Sequence, residues 1–243
     1  EHKSGIYKYE QIMNHKKTEI IPIPSGYSTI YLLKNEKSVA LIDTGIWSTR
    51  DKILQAIENK GVSLKNINLI VVTHAHYDHC GNAKMLKELT GAKILIHQNE
   101  AENLKYGYSP LPNGTHLFSK LIVDIGRKFL RTIGKFEPVK PDLTVDEEYD
   151  LSPFGLTGYV LPTPGHTDGS ISVIHSDHNA FIGDTAFNIK RRSVYPPFAN
   201  DEKALKRSWE TLLNTGVKHF WPGHGKMFSR EKFNKNYLKI EQK

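Results

Sequence analysis

Ile67-Asn68-Leu69-Ile70-Val71-Val72-Thr73-His74-Ala75-His76-Tyr77-Asp78-His79 joins an apolar run to a cluster of three imidazoles and a carboxylate. The first half reads as a buried strand, because a short, branched, nearly uncharged run ahead of a polar cluster suits a central position in a sheet. Packing gives no reason for the second half. Neutral imidazole nitrogens and carboxylate oxygens are the donors that a borderline divalent metal such as zinc prefers, and ligands spaced by two at a strand end can converge on one centre.

Working outward, three later segments repeat the same construction. Thr163-Pro164-Gly165-His166-Thr167-Asp168-Gly169-Ser170, Phe181-Ile182-Gly183-Asp184-Thr185 and Phe220-Trp221-Pro222-Gly223-His224-Gly225 each deliver a His or Asp into a Gly/Pro turn. Such turns let backbone approach closely and aim a side chain. Upstream, Leu41-Ile42-Asp43-Thr44-Gly45 ends another apolar run in the same manner.

The rest of the chain supplies layers for these strand ends. Glu19–Pro24, Thr29–Leu33 and Val39–Asp43 read as strands of an opening sheet, with turns at Ser25-Gly26 and Asn35-Glu36. A surface helix is predicted over Asp51–Lys60, with Ser48 and Thr49 as capping candidates and Gly61 as the stop. A second helix spans 82–89, followed by a strand at Ala92–His97. The second half adds strands near 156–162, 170–175 and 179–183, a helix from Asn200 or Asp201 to Asn214, and a strand at 217–221. Two strand-rich halves covered by helices predict a sandwich of two sheets with helices outside.

One segment breaks this rhythm. Leu117, Leu121, Ile125, Phe129 and Ile133 recur at fourfold spacing, flanked by Phe118, Ile122 and Leu130, with Lys120, Arg127, Lys128 and Arg131 between them. This is an amphipathic helix, part of an insertion at about 105–140 between the halves. A lid over the site, core packing and a homodimer contact are its three readings.

Composition sets bounds. A single domain is expected at 243 residues with mean hydropathy −0.46, large enough to bury a sizeable core. No apolar run reaches the length of a membrane span, so a membrane is not an expected partner. Glu1–Gly5 lack a signal-peptide pattern, although the chain does not begin with Met and an upstream segment stays open. Cys80 alone cannot form an internal disulfide, which suits a reducing compartment; the cytoplasm is the expected location. The net charge of +7 reads first as a Lys-rich solvated surface, and nucleic acid is not the expected partner.

In this order the five segments resemble the metallo-β-lactamase superfamily of metallohydrolases, from Leu41-Ile42-Asp43-Thr44-Gly45 to His224. The resemblance implies a four-layer αββα sandwich with a site at the edge between the sheets, and two divalent cations, zinc first, with iron or manganese compatible. It assigns His74, His76 and His166 to the first metal, Asp78, His79 and His224 to the second, and Asp184 as the bridge. A water shared by the two metals would be the nucleophile, with its pKa brought toward about 7, and Asp78 would handle protons. Thr167, Asp168, Ser170 and Asp43 are candidates for hydrogen bonds that orient the histidines. His97, His175 and the remaining histidines outside the motifs are read as surface or structural residues, and Cys80 as a small buried thiol pointing away from the metals.

Within the superfamily, the commonest zinc β-lactamases carry Cys where this chain has Asp184. It looks closer to hydroxyacylglutathione hydrolases and N-acyl homoserine lactonases, which use an Asp bridge. Such lactonases place a substrate-contacting Tyr three positions after that Asp, where this chain has Phe187. The hydroxyacylglutathione hydrolases add a glutathione-binding domain after the last ligand, for which residues 225–243 are too short. Phe187 and Tyr195 are the predicted substrate contacts, on a pocket wall that includes Arg191 and Arg192. The expected reaction is hydrolysis of a small carboxylic ester, thioester or lactone. Phosphodiester cleavage, and redox chemistry at iron, are the readings from other classes.

Overall fold

The computed structural model describes residues 18–129, 134–189 and 192–241, without the side chains of 127–129. The N-terminal histidines His2 and His15, and the insertion positions Leu130, Arg131 and Ile133, lie outside the described residues, as does Arg191.

Among the described residues, twelve strands form two six-stranded sheets. The first contains β1 (Glu19–Ser25), β2 (Ser28–Lys34), β3 (Val39–Ile42), β4 (Ile67–Val71), β5 (Lys93–His97) and β6 (Leu143–Val145), side by side in chain order. β1 to β3 pair antiparallel, and β3 to β6 run parallel. The second contains β7 (Tyr149–Asp150), β8 (Gly158–Pro162), β9 (Ile171–His175), β10 (Asn179–Gly183), β11 (His219–Pro222) and β12 (Phe228–Ser229), also neighbours in chain order. All of its pairs are antiparallel except β10 with β11.

The parallel strands need crossovers, and helices supply them. α1 (Arg50–Asn59) links β3 to β4, and α2 (Tyr77–Cys80) with α3 (Ala83–Thr90) link β4 to β5. α4 (Gln98–Tyr106) and α5 (Leu117–Phe129) lie between β5 and β6, and α6 (Glu202–Asn214) between β10 and β11. α7 (Arg230–Glu241) closes the chain. The insertion carrying α5 therefore falls inside the first half, not between the halves, because the short β6 still belongs to the first sheet.

Alternation along the strands separates three apolar layers. Ile30, Leu32 and Leu41 face the helix side with Ile53 and Ile57 of α1 and Leu86 of α3. Their neighbours Tyr31, Leu33 and Ile42 face the opposite way and meet Val160, Val173 and Phe181 of the second sheet. Ile174, Ala180, Ile182 and Phe220 then point outward onto Leu205, Trp209 and Leu212 of α6 and Phe233 of α7. Period-2 strands buried on both faces are what a helix–sheet–sheet–helix stack requires, and the fold is the αββα sandwich.

Helix ends follow local chemistry. Asp201 caps α6 by accepting from the backbone N–H groups of Lys203 and Ala204, worth about 1 kcal/mol. Thr49 stands at the N-cap of α1 but makes no capping bond; its hydroxyl is engaged by the Ile46 carbonyl and Ser25. His97 caps α4 through Nδ1, which accepts from Asn99 N–H at 3.1 Å, so this histidine is structural.

Candidate metal centre

The sandwich opens at one edge, and four strand ends converge there. β4 leads into Thr73, His74 and His76, β8 into His166, β10 into Asp184 and β11 into His224. Donor atoms of His74, His76, His166 and Asp184 all lie within 4.8 Å of one another, and so do those of Asp78, His79 and His224. The Asp184 carboxylate stands between the two groups. Its Oδ2 is 3.4 Å from His166 Nε2 and 3.3 Å from His224 Nε2, and its Oδ1 is 3.3 Å from His79 Nε2. Every ligand expected from the sequence is thus gathered at one centre.

A cation fits this arrangement on an observation independent of any resemblance. Among the described residues, His74 Nε2, His76 Nε2, His175 Nε2 and Asp184 Oδ1 are the buried side-chain polar atoms without a hydrogen-bond partner. Two of the four, His74 Nε2 and Asp184 Oδ1, lie among the ligand atoms, and His76 meets them through its other ring nitrogen, Nδ1, 3.0 Å from His166 Nε2. Buried polar atoms are rarely left unpaired, since desolvation without a partner costs about 1–3 kcal/mol, and bound divalent cations would satisfy both.

The other ring nitrogens are held by the protein. His166 Nδ1 donates to the Phe198 carbonyl at 3.0 Å and His224 Nδ1 to the Tyr27 carbonyl at 2.8 Å, which leaves each Nε2 turned inward. Asp43 serves both groups at once. Its Oδ2 accepts from His79 Nδ1 at 2.8 Å, and its carboxylate takes the Thr73 hydroxyl and the Thr73 N–H. The Thr73 hydroxyl proton being spent on Asp43, its oxygen accepts from His74 Nδ1 at 3.1 Å. One carboxylate therefore fixes the tautomers of a histidine in each group, the usual work of groups behind metal ligands. Asp43 holds a left-handed φ of 63°, a conformation more accessible to Asp and Asn than to most residues.

Glycine makes room at two points. A Cβ on Gly223 would lie 2.5 Å from His79 Cε1 and 2.6 Å from Asp184 Oδ1, so any side chain there would invade the cluster. Gly165, with φ of 135°, passes so close to α6 that a Cβ would sit 2.3 Å from the Leu205 nitrogen.

Electrostatics divides the centre. Burial pushes His76 and His166 down to about 4 and His74 well below the usual imidazole range, so these three are neutral and carry free lone pairs. Burial also works against charge on His224, but Asp184, with hydrogen bonds to Asp184 and Asp78, lifts it to about 10. His79 is raised in the same way, burial being outweighed by Asp184, Asp43 and Asp78. Asp184 is held well below the usual carboxylate range; burial alone would raise it, and His224, His79 and His166 reverse the sign.

Other expectations meet mixed outcomes. Phe187 is buried, its ring stacked on His224 at 4.5 Å and 6.3 Å from His166, so it lines the centre. Tyr195 lies on the adjoining wall, but its phenol donates to Glu202 Oε2 at 2.5 Å and its ring packs on Trp209, which removes it as a substrate donor. Thr167 and Ser170 bond to each other at 2.9 Å rather than to a histidine, and Asp168 is exposed; they shape the turn instead. Cys80 is buried with Sγ turned to the His76 carbonyl.

Two features had no signal in the sequence. The phenols of Tyr27 and Tyr77 share a 2.5 Å hydrogen bond beside the Asp78 group, and Tyr27 stacks on His224 at 6.0 Å. Glu100 is buried, with Oε2 accepting from the Ala75 N–H between the first two histidines at 3.0 Å. Both join residues 25 to 50 positions apart, beyond the reach of any local pattern.

Comparison with known proteins agrees with this geometry. Residues 23–224 match the family model described as the metallo-beta-lactamase superfamily. The chain is similar to a probable metallo-hydrolase of Methanocaldococcus jannaschii, 30% identical over 223 residues that cover 88% of this chain and 95% of that protein. It is also similar to a hydroxyacylglutathione hydrolase of Haemophilus influenzae, 31% identical over 172 residues, 70% of this chain and 71% of that one. Among solved structures, an archaeal metallo-beta-lactamase superfamily protein from Sulfolobus tokodaii superposes with a TM-score of 0.65 at 22% identity, covering 93% of this chain and 87% of that one. A subclass B3 metallo-beta-lactamase of Bradyrhizobium japonicum gives 0.68 at 19%, covering 93% and 89%. These two share the fold. With a family match across most of its length and a metal-binding arrangement of His and Asp at the sheet edge, the chain belongs to the metallo-β-lactamase superfamily and is a metal-dependent hydrolase.

Proposed function

We propose that the protein is a dinuclear hydrolase of small carboxylic esters, thioesters or lactones, zinc being the first candidate metal. The observation that carries this reading is the convergence of two groups of donor atoms, with His74 Nε2 and Asp184 Oδ1 left without a hydrogen-bond partner among them. His74, His76 and His166 would hold one ion, Asp78, His79 and His224 the other, with Asp184 shared. When bound, two such cations supply a hydroxide at neutral pH and polarise the substrate oxygen. Nitrogen and oxygen donors alone admit zinc, iron and manganese.

The chain's own groups do the rest. Asp78, with Oδ2 3.3 Å from His224 Nε2, is the carboxylate positioned to take a proton from the nucleophile and return it to the leaving oxygen or sulfur. Asp43 and Thr73 hold the imidazoles still. In the Tyr27–Tyr77 pair only one hydroxyl proton can lie between the two oxygens, so the other phenol keeps an O–H free for a substrate oxygen. Phe187 gives the pocket an apolar side against His224. Thioesters are favoured within the class by the likeness to the Haemophilus hydrolase.

The test pairs metal analysis with a panel of substrates. Metal content near two per chain, with turnover of p-nitrophenyl acetate, S-lactoylglutathione or an acyl homoserine lactone and none of bis-p-nitrophenyl phosphate, is expected. A single metal after reconstitution with excess zinc, or phosphodiester cleavage alone, would overturn the reading.

A further inference from the structure

The amphipathic segment of the insertion behaves opposite to a core helix. On α5 the small residues Ser119 and Gly126, with Val123, face the protein, while Leu117, Phe118, Leu121, Ile122 and Ile125 are exposed, Leu117 at 88% and Phe118 at 75%. At helical spacing these five occupy one arc of about 140°, turned away from the buried side. Among the described residues, nothing packs over these five side chains. Exposed large apolar side chains in one contiguous patch mark a surface that meets something.

Charge says what. Residues 105–140 contain seven basic residues against Asp124 and Glu137, so this stretch carries +5 of the chain's +7. The excess is concentrated in this stretch rather than spread evenly along the sequence. Lys120 is exposed on the helix beside the stripe, and Tyr106 and Tyr108 stand exposed at the start of the segment. A second copy of the chain would bring two such basic segments together, against like-charge repulsion. An anionic bilayer offers both an apolar phase for the stripe and countercharge for the lysines and arginines, and amphipathic rings settle at its headgroup level.

We propose that α5 and its basic flanks are a docking surface for an anionic lipid bilayer, the helix lying in the interface plane. No helix among the described residues is long and apolar enough to cross a membrane, which is a separate property from lying on one. The position gives docking a use. The chain just before α5 is bonded to the wall of the metal centre, with Thr115 N–H donating to the Pro197 carbonyl, Thr115 Oγ1 to the Pro196 carbonyl, and Ala199 N–H to the Asn113 carbonyl. Phe198 of that wall holds His166. A bilayer under α5 would lie beside the catalytic edge.

The test floats the purified full chain with phosphatidylcholine vesicles, with and without phosphatidylserine. Partition onto the phosphatidylserine vesicles, weakened by salt, is expected, and L121E/I125E should lose at least about tenfold of it while its circular dichroism and metal content match wild type. K120E should weaken binding to the anionic vesicles alone. No partition of wild type, equal partition onto neutral and anionic vesicles, or an unaffected L121E/I125E would each overturn the proposal. So would a dimer in light scattering that the same substitutions dissociate, since the stripe would then be covered by a second copy. None of these readouts depends on which ester the metal centre cleaves.

Discussion

The metal edge and α5, linked through the bonds of Asn113 and Thr115 to the wall at 197–199, solve opposite problems. At the edge, charged and polar side chains are buried and braced from behind, Asp43 and Thr73 holding His74 and His79 while Phe198 and Tyr27 hold His166 and His224. On α5, apolar side chains are exposed and packed by nothing described. Buried polarity survives only when an interaction returns what desolvation costs, so the edge must be rigid and must bind something charged. Exposed apolar surface is stabilised only when something apolar covers it, so α5 calls for a partner outside the fold. The edge fixes chemistry; the helix governs where that chemistry is presented.

Breaking the bridge tests the edge most severely. Asp184→Asn keeps the shape but removes the anion that lies against His79, His166 and His224, so metal analysis should find at least one ion lost and turnover reduced by about three orders of magnitude or more. A fully active Asn variant would mean that the bridge is misassigned.

Asp43→Asn comes next. Asn tolerates the left-handed φ of 63°, so the backbone stays put while the shared acceptor for His79 and Thr73 loses its charge. Metal affinity in both groups should fall about 10–100-fold by competition with a chelator. Loss confined to one ion would show that the Thr73 relay to His74 carries no weight.

Acid should separate the two groups. His79 and His224 hold protons in the metal-free chain, His224 up to about 10, whereas His76 and His166 give theirs up at about 4. A cation at the Asp78 group must displace protons that become harder to remove as pH falls, while the group with His74 is neutral across the whole range above about 5. Metal-free protein dialysed against zinc from pH 8 down to pH 5.5 should therefore lose the second equivalent first; simultaneous loss would contradict the division.

Smaller effects sharpen the comparison. Tyr77→Phe and Tyr27→Phe should each raise KM about 3- to 10-fold with metal content unchanged, since one hydrogen bond to substrate is at stake. Cys80→Ser and His97→Gln should leave kcat within a few-fold, His97→Gln lowering stability by about 1 kcal/mol through the α4 cap. A large kcat loss in either would place it in the chemistry.

How far the sequence reached follows from what kind of signal each part leaves. Strands β1 to β5, α1, α3 and α6 were legible because each carries enough apolar periodicity, or a cap such as Asp201, to be read locally. β6, β7 and β12 span three, two and two residues, too few for a period to show. α4 and α7 are mostly polar and expose most of their length, so they lack the stripe by which a helix is recognised. The turn around Thr167 and Ser170 misled because hydroxyls near a ligand look like its supports, whereas here they satisfy one another.

The sequence by itself determined the donor set and the two-sheet plan. Ligand chemistry demands particular residue types, and alternating burial demands a particular period, and both are written along the chain. Tertiary structure alone decided that Asp43 serves both groups, that Tyr27 meets Tyr77, that Tyr195 is taken by Glu202, and which way α5 turns its apolar face. Periodicity defines a face but does not name its partner, because a stripe of leucines and isoleucines is the same whether protein, lipid or water lies against it.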